Sequence, residues 1–369
     1  MREIRKIPIP GMGHASPIVW EDRVYILTAA ESPTDESAVQ YRILALSRET
    51  GDVVWDRTAR EASPHEGRHE TNTHASGSPI TDGERIYAPF GSAGLYCYDM
   101  EGAPQWDVDL GDMQKLYEFG EAASPALYGD RLVVVWDHEG ESAIVALNAV
   151  TGDEVWRTPR DEGSSWNTPL LVEHDGRVQV VVNGTNMITS YDLVDGSIIW
   201  QCGGMTRGAI PTPVHSAGVV YVMSGFQGSA LVAVDLATAT GDITDTAAVV
   251  WRKDRDTPYV PSPLLHDGGL YYVKGNTGIW SALDADTGDP FYPAQRLDDI
   301  GDIYSSPVAA ADRVYLSDRD GTTVVLAAGP TFSVLGVNVL DDGFSATPAL
   351  VDGEIYLRGH RHLYCIAEE

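Results

Sequence analysis

Short stretches in which apolar and polar residues alternate recur along the whole chain, and polar turns separate them. DRVYIL (22–27), DRLVVV (130–135), GVVYVM (218–223), DRVYLS (312–317) and GEIYLR (353–358) form one recurring set. ILALS (43–47), IVALN (144–148), LVAVD (231–235) and WSALD (280–284) form a second. Alternation with period two in residues rich in Val, Ile and Tyr predicts short antiparallel strands. Between successive strands lie ETGD (49–52), TGDE (151–154), DGS (195–197) and TGDP (287–290), where glycine suits the positive-φ position of a tight hairpin.

A longer period contains these strands. A small residue, a proline and a hydrophobic strand recur at Pro17, Pro79, Pro125, Pro169, Pro213, Pro263, Pro307 and Pro348, as in ASPIVW, GSPITD, NTPLLV and ATPALV. Apart from one longer first interval, the spacing is close to the roughly 40–50 residues of a propeller blade. Each unit reads as four strands. Strand A follows the proline, B and C are the two sets above, and D carries the aromatic Trp55, Trp106, Trp156, Trp200 or Trp251 as its expected last residue. These tryptophans are expected to anchor neighbouring blades. Units six and seven lack one and are expected to use Phe291, Tyr292 and Phe332 instead. The last unit stops after strand C (362–367), and the chain opens on an orphan strand, EIRKIPI (3–9). The orphan is expected to supply the missing fourth strand and close the ring, which removes two exposed edges. The expectation is therefore an all-β fold: one eight-bladed β-propeller of four-stranded antiparallel blades, spanning 1–369 as a single domain.

Composition narrows the partners. The chain carries 54 Asp and Glu against 25 Lys and Arg, a net charge of −29. Nucleic acid and anionic lipid would be repelled by such a surface. No apolar run is long enough to span a membrane as a helix. Residues 1–10 include Arg2, Arg5 and Lys6 but no apolar core, so no export signal is read there. Cys97, Cys202 and Cys365 form no CxxC pair and are expected to be buried free thiols. The Asp-rich DADTGD (284–289) and DRDG (318–321) fall where hairpins need Asp and Gly and do not make a calcium loop.

The succession of SP-x-hydrophobic, DRVYL-like and ALD-x-x-TG-x-x-hydrophobic-Trp elements resembles the quinoprotein-type propeller repeat. That superfamily includes the PQQ-dependent alcohol dehydrogenases and the BamB outer-membrane assembly lipoproteins. The strings at 69–99, VVWDHEG (134–140) and VVNGTN (181–186) are similar to PQQ-binding-like repeat proteins. The resemblance implies a periplasmic or secreted location, and PQQ with Ca as the cofactor of its enzyme branch. That branch also uses an adjacent cysteine pair, and this chain has no Cys-Cys dipeptide.

With this strand order, the D-to-A connections and the B-to-C loops emerge on one face. They are expected to converge at one mouth of the channel as a ligand-binding rim. The connections contribute His14, His74, Glu121, Trp166, Asn167, Arg207, Tyr259, Tyr304 and Phe344. The loops contribute Asp137, His138, Glu139, Asn183, Asn186, Lys274, Asn276, Asp318, Arg319, Arg358 and His360. Asp137, His138 and Glu139 have side chains capable of ligating a metal or exchanging protons. His65, His69 and His74 fit no zinc spacing and read as a loop over the mouth, and no metal site is assigned. Trp136 and Trp166 are possible stacking platforms. Two functions are compatible with this rim. One is a non-catalytic, monomeric scaffold for a protein, peptide or glycan. The other is an enzyme at the same mouth, such as a PQQ- and divalent-cation-dependent oxidoreductase.

Overall fold

A computed structural model describes residues 2–367 and shows eight four-stranded antiparallel sheets arranged as the blades of a β-propeller. The first blade is formed by Ile18–Trp20, Arg23–Glu31, Val39–Ser47 and Val53–Ala62. The pattern repeats to the eighth, whose strands Ala349–Val351, Glu354–Arg358 and His362–Ala367 are completed by the N-terminal Arg2–Pro8. Arg2 pairs with Ala367 and Pro8 with His362, so the orphan strand closes the ring as expected. Blade four gains a fifth, parallel strand, Gly241–Asp242, from the long loop of blade five.

The small-residue-Pro element has a specific physical task. In every unit the residue before the proline is Ser or Thr, and in seven of the eight its backbone amide donates to the equivalent hydroxyl of the next blade. Ser16 donates to Ser78 Oγ (2.9 Å) and Ser78 to Ser124 Oγ (2.8 Å). Thr168 donates to Thr212 Oγ1 (3.3 Å), Thr212 to Ser262 Oγ (2.9 Å) and Ser262 to Ser306 Oγ (2.9 Å). Ser306 donates to Thr347 Oγ1 (3.0 Å), and Thr347 returns to Ser16 Oγ (3.1 Å). Among the described residues only the step from Ser124 to Thr168 is missing from this circle.

Tryptophans tie the outer parts of the blades together. Each is the third residue of its strand D, inside the strand, which corrects the expectation that it ends it. The Nε1 groups of Trp55, Trp106 and Trp156 donate to the carbonyls of Met100, Ala149 and Leu193, each just past strand C of the next blade. The ring then covers the hairpin glycine of that blade. A Cβ on Gly152 (φ +79°) would lie 2.8 Å from Trp106, so both backbone angle and space demand glycine. Burying one such ring contributes roughly 2–3 kcal/mol.

Trp200 departs from this pattern. It bonds Gln179 Oε1 of its own blade at 2.9 Å and is fully buried, because the long loop of blade five packs Ala239, Ile243 and Ala248 around it. At the junction of blades six and seven, Phe291, Tyr292 and Phe332 join the core around Trp280, whose Nε1 donates to the Tyr292 hydroxyl. At ring closure Ile7 takes the tryptophan's place over Gly51 of blade one. Arg5 and Arg48 meet there on the two oxygens of Glu354, at 3.1 and 2.8 Å. All three cysteines are buried and free.

Removing one hydroxyl of the circle leaves a partner amide without an acceptor. Ser262→Ala should cost about 1–3 kcal/mol in urea unfolding, whereas Ser262→Thr should stay close to wild type.

Candidate functional site

The D-to-A connections do converge, and they enclose a depression of about 330 Å³ at the channel mouth. Its lining includes the polar residues His14, His69, Thr71, Asn72, Ser76 and Ser345, with the aromatic side chains Phe119, Trp166, Tyr259 and Tyr304. The rings form an aromatic wall in which only some neighbours are in ring contact. Phe119 lies 6.3 Å from Trp166 and 5.4 Å from His69, and Tyr259 stacks on Phe226 at 5.0 Å. Trp166 is held by donation from Nε1 to the Gly120 carbonyl at 2.6 Å. Arg319 sits 4.9 Å over the Tyr304 ring and pairs with Asp302 at 3.0 Å.

At the lip of this wall stands Tyr117, 66% exposed, with Phe119 at 5.5 Å and the Arg207 guanidinium 5.7 Å above its ring. Tyr117 and Glu118 both have left-handed backbone angles, φ 52° and 53°, in the short 3-10 turn Leu116–Glu118. Non-glycine residues in that region carry strain, which tends to concentrate at functional positions.

Of the rim residues anticipated from the sequence, His14, Trp166 and Tyr304 line the depression, as does Tyr259. His360 stands behind His14 at 5.3 Å between ring centroids, with Nε2 3.3 Å from Ser345 Oγ. Several others lie beneath the rim and are committed to structure. Asp137 is fully buried, receives Arg160 Nε and Nη2 at 2.7 and 3.1 Å, and accepts Ser165 Oγ at 2.7 Å. His138 joins the Gln114 amide and the Glu141 carbonyl, and Glu139 accepts from the Ser164 amide and hydroxyl. Asn167 and Asn183 are fully buried; Asn167 donates to the Asn183 carbonyl of its own blade and Asn183 to the Pro211 and Met223 carbonyls of the next, while Asp318 accepts the amides of Gly301, Asp320 and Thr322. Arg358 is buried and donates to the Gly359 carbonyl. Phe344 is buried against Tyr364 in the core between blades seven and eight.

The remaining candidates sit on the outer part of the face. Asn186 donates to the Asp161 carbonyl, Lys274 pairs with Asp256 at 2.7 Å, and Asn276 accepts from the Val260 amide. His74 and Glu121 face a neighbouring, partly open cavity, which Trp136 also lines.

The reason for this division is geometric. At the end of strand B the polar groups of Asp137 and Asn183 are spent on scaffold bonds, to Arg160 and Ser165 and to the Pro211 and Met223 carbonyls, whereas His14, Trp166, Tyr259 and Tyr304, from the connections before strand A, reach the mouth. Phe119 and Tyr117 were missed because they belong to an irregular connection that no repeat register places, and Phe226, in the B-to-C loop of blade five, was passed over although that loop is in register. The insertion before blade two and the similarly irregular segment 109–125 were the available signal.

Electrostatics behind the wall are concentrated on Lys115. Its ammonium is buried, donates to the carbonyls of Asp137 (2.6 Å) and Ser165 (2.8 Å), and lies 4.8 Å from the Trp166 ring center. Burial lowers its pKa to about 8. Burial, reinforced by His360 and nearby arginines, lowers His14 to about 3.

A ring of eight four-stranded blades, stitched by Ser/Thr-Pro elements and anchored by strand-D tryptophans, defines an eight-bladed propeller of the quinoprotein-like repeat class. The chain belongs to the family described as outer membrane protein assembly factor BamB, whose model matches residues 6–116 and 95–318. The outer membrane protein assembly factor BamB of Yersinia pestis is 25% identical over 236 residues, 61% of this chain and 54% of the relative, so the match spans about half of that protein. Among solved structures, BamB from Moraxella catarrhalis superposes with a TM-score of 0.67 at 14% identity, covering 99% of both chains. Quinohemoprotein alcohol dehydrogenase from Comamonas testosteroni superposes with a TM-score of 0.65 at 11% identity, covering 98% of this chain and 75% of the other. These two structural likenesses concern the fold.

Two measurements check the electrostatics. Breaking the buried ion pair with Asp137→Ala should cost about 3–5 kcal/mol in chemical unfolding, and Asp137→Leu combined with Arg160→Met should cost less. His14 titrates near 3 when folded against 6.5 for the free side chain, so the unfolded chain takes up its proton first. This contribution is complete above pH 6.5 and is lost as pH falls toward 3, so His14→Gln should show a flatter stability profile over that window.

Proposed function

We propose that this chain is a non-catalytic scaffold that seats a protein partner at the channel mouth. Support comes above all from the aromatic wall: Phe119, Trp166, Tyr259 and Tyr304 line an open depression, and Tyr117 stands exposed at its lip. Aromatic side chains in a concave, partly desolvated site are the usual energetic centre of a protein interface. The family's description makes the outer-membrane assembly machinery the first partner to test, and a location outside the cytoplasm follows from the same reading.

A quinone cofactor held with a divalent cation in the mouth is poorly matched by its lining. None of the lining side chains is a carboxylate or a thiol. The nearby carboxylates of Asp137, Glu139 and Asp318 accept from Arg160, Ser164 and backbone amides respectively.

Placing a photo-reactive benzoylphenylalanine at Tyr117 should give a discrete protein adduct in cells. The same group at Tyr128, in strand A of blade three, should give none. Trp166→Ala and Phe119→Ala should each weaken that association by about 2 kcal/mol, roughly thirty-fold. Absence of an adduct at Tyr117, or an equal adduct at Tyr128, refutes the mouth as the docking site.

A further inference from the structure

Behind the aromatic wall, two irregular connections pack on each other: residues 63–79, between the first and second blades, and residues 109–125, between the second and third. Three side chains meet at their junction. A ring nitrogen of His65 and one carboxylate oxygen each of Glu66 and Glu121 all lie within 4.8 Å of one another. All three line a partly open cavity of about 60 Å³, enough for an ion with a bound water.

Each of the three is oriented from its outer side by a different group. His65 Nε2 lies 2.6 Å from the Met113 carbonyl, so that nitrogen carries the proton and Nδ1 keeps the lone pair. Glu66 accepts from the Lys115 amide at 3.1 Å. Glu121 accepts from the Ser92 amide and hydroxyl at 2.6 and 2.5 Å. An imidazole whose other nitrogen donates to a backbone carbonyl, with carboxylates held by their own donors, is the supporting arrangement that metal ligands require. Among the described residues no basic side chain hydrogen-bonds to either carboxylate. Lys115, the nearest buried cation, gives its ammonium protons to the carbonyls of Asp137 and Ser165. Two carboxylates thus face each other across a cavity with no cation bonded to them.

We propose that His65, Glu66 and Glu121 bind one divalent transition-metal ion of the zinc or manganese class, which clips the two connections together. One nitrogen and two oxygens suit such ions, whereas calcium takes six to eight oxygens. Two carboxylates balance the charge of the ion. The clip lies in the same connection as Tyr117 and Phe119, four and two residues before Glu121, and so braces the aromatic wall from behind.

The test is calorimetric titration of the chelator-treated full chain with Zn²⁺, Mn²⁺ and Ca²⁺. Zn²⁺ or Mn²⁺ should bind at one site per chain, unaffected by excess Ca²⁺, and protect Arg68 in the first connection from trypsin. His65→Ala and Glu121→Gln should each weaken binding by at least about ten-fold, and His266→Ala, in blade six, should leave it unchanged. His65 is exposed, so its replacement does not endanger the fold. The proposal fails if neither ion binds, if Ca²⁺ displaces the ion, or if binding survives both substitutions at full strength.

Discussion

The hydrogen bond from a pre-proline Ser or Thr amide to the matching hydroxyl of the next blade, made at seven of the eight steps, is the interaction on which the rest of this propeller depends. The amide of such a residue donates to one neighbour while its hydroxyl accepts from the other, so a single residue ties its unit on both sides, except at the step from Ser124 to Thr168. The proline that follows fixes φ and holds the preceding residue extended, presenting its amide in the direction of the neighbour. Because the bonds run around the axis, they set the spacing of all the inner strands and hence the width of the channel. The mouth is wide enough to hold an aromatic wall because those strands are held apart at this distance.

The outer contacts are less uniform, and their exceptions locate what is particular to this chain. Three blades repeat the same lock of indole, carbonyl and glycine. Blade four instead buries Trp200 under a loop and a fifth strand. Blade eight substitutes Ile7 and a two-arginine clasp on Glu354. The outer strand of blade seven, Val334–Val339, has neither tryptophan nor charge and leaves Val334, Leu335, Val337 and Val339 exposed. The irregular connections on either side of blade two are the largest departure of all. They carry Tyr117 and Phe119, the buried Lys115 and the His65–Glu66–Glu121 junction, so the chemistry gathers where the repeat is broken.

That division explains what could be read from residues alone. Blade number, strand order, hairpin glycines and closure by the N-terminal strand follow from features that recur eight times, so an error in one unit is corrected by the others. Trp55 and Gly102 are informative because Trp106 and Gly152 say the same thing one blade later. The mouth has no such redundancy. His14, Trp166 and Tyr304 were accessible because they occupy equivalent places before the proline, and Tyr259 because it stands one residue earlier in the same connection. Asn183 and Arg358 shared a repeat position too, and Asp137 lies two residues beyond it in its own blade, but whether a polar side chain at the end of strand B faces the axis or a neighbouring blade depends on packing that alternation does not encode. Phe119 and Tyr117, in a connection without register, carried no sequence signal of their own.

Closure by the pairing of Arg2–Pro8 with His362–Ala367 also decides how the ring responds to mechanical load. The two strands are antiparallel, and Arg2 lies opposite Ala367. Force applied through these two adjacent ends would peel the pair apart one hydrogen bond at a time and not shear all of them together. Tension between both ends therefore meets the fold in its weakest direction, whereas a tether at one end alone puts no load across the seam. The circle of hydroxyls is insulated from the outside in the first case only until the seam has opened, and in the second case altogether.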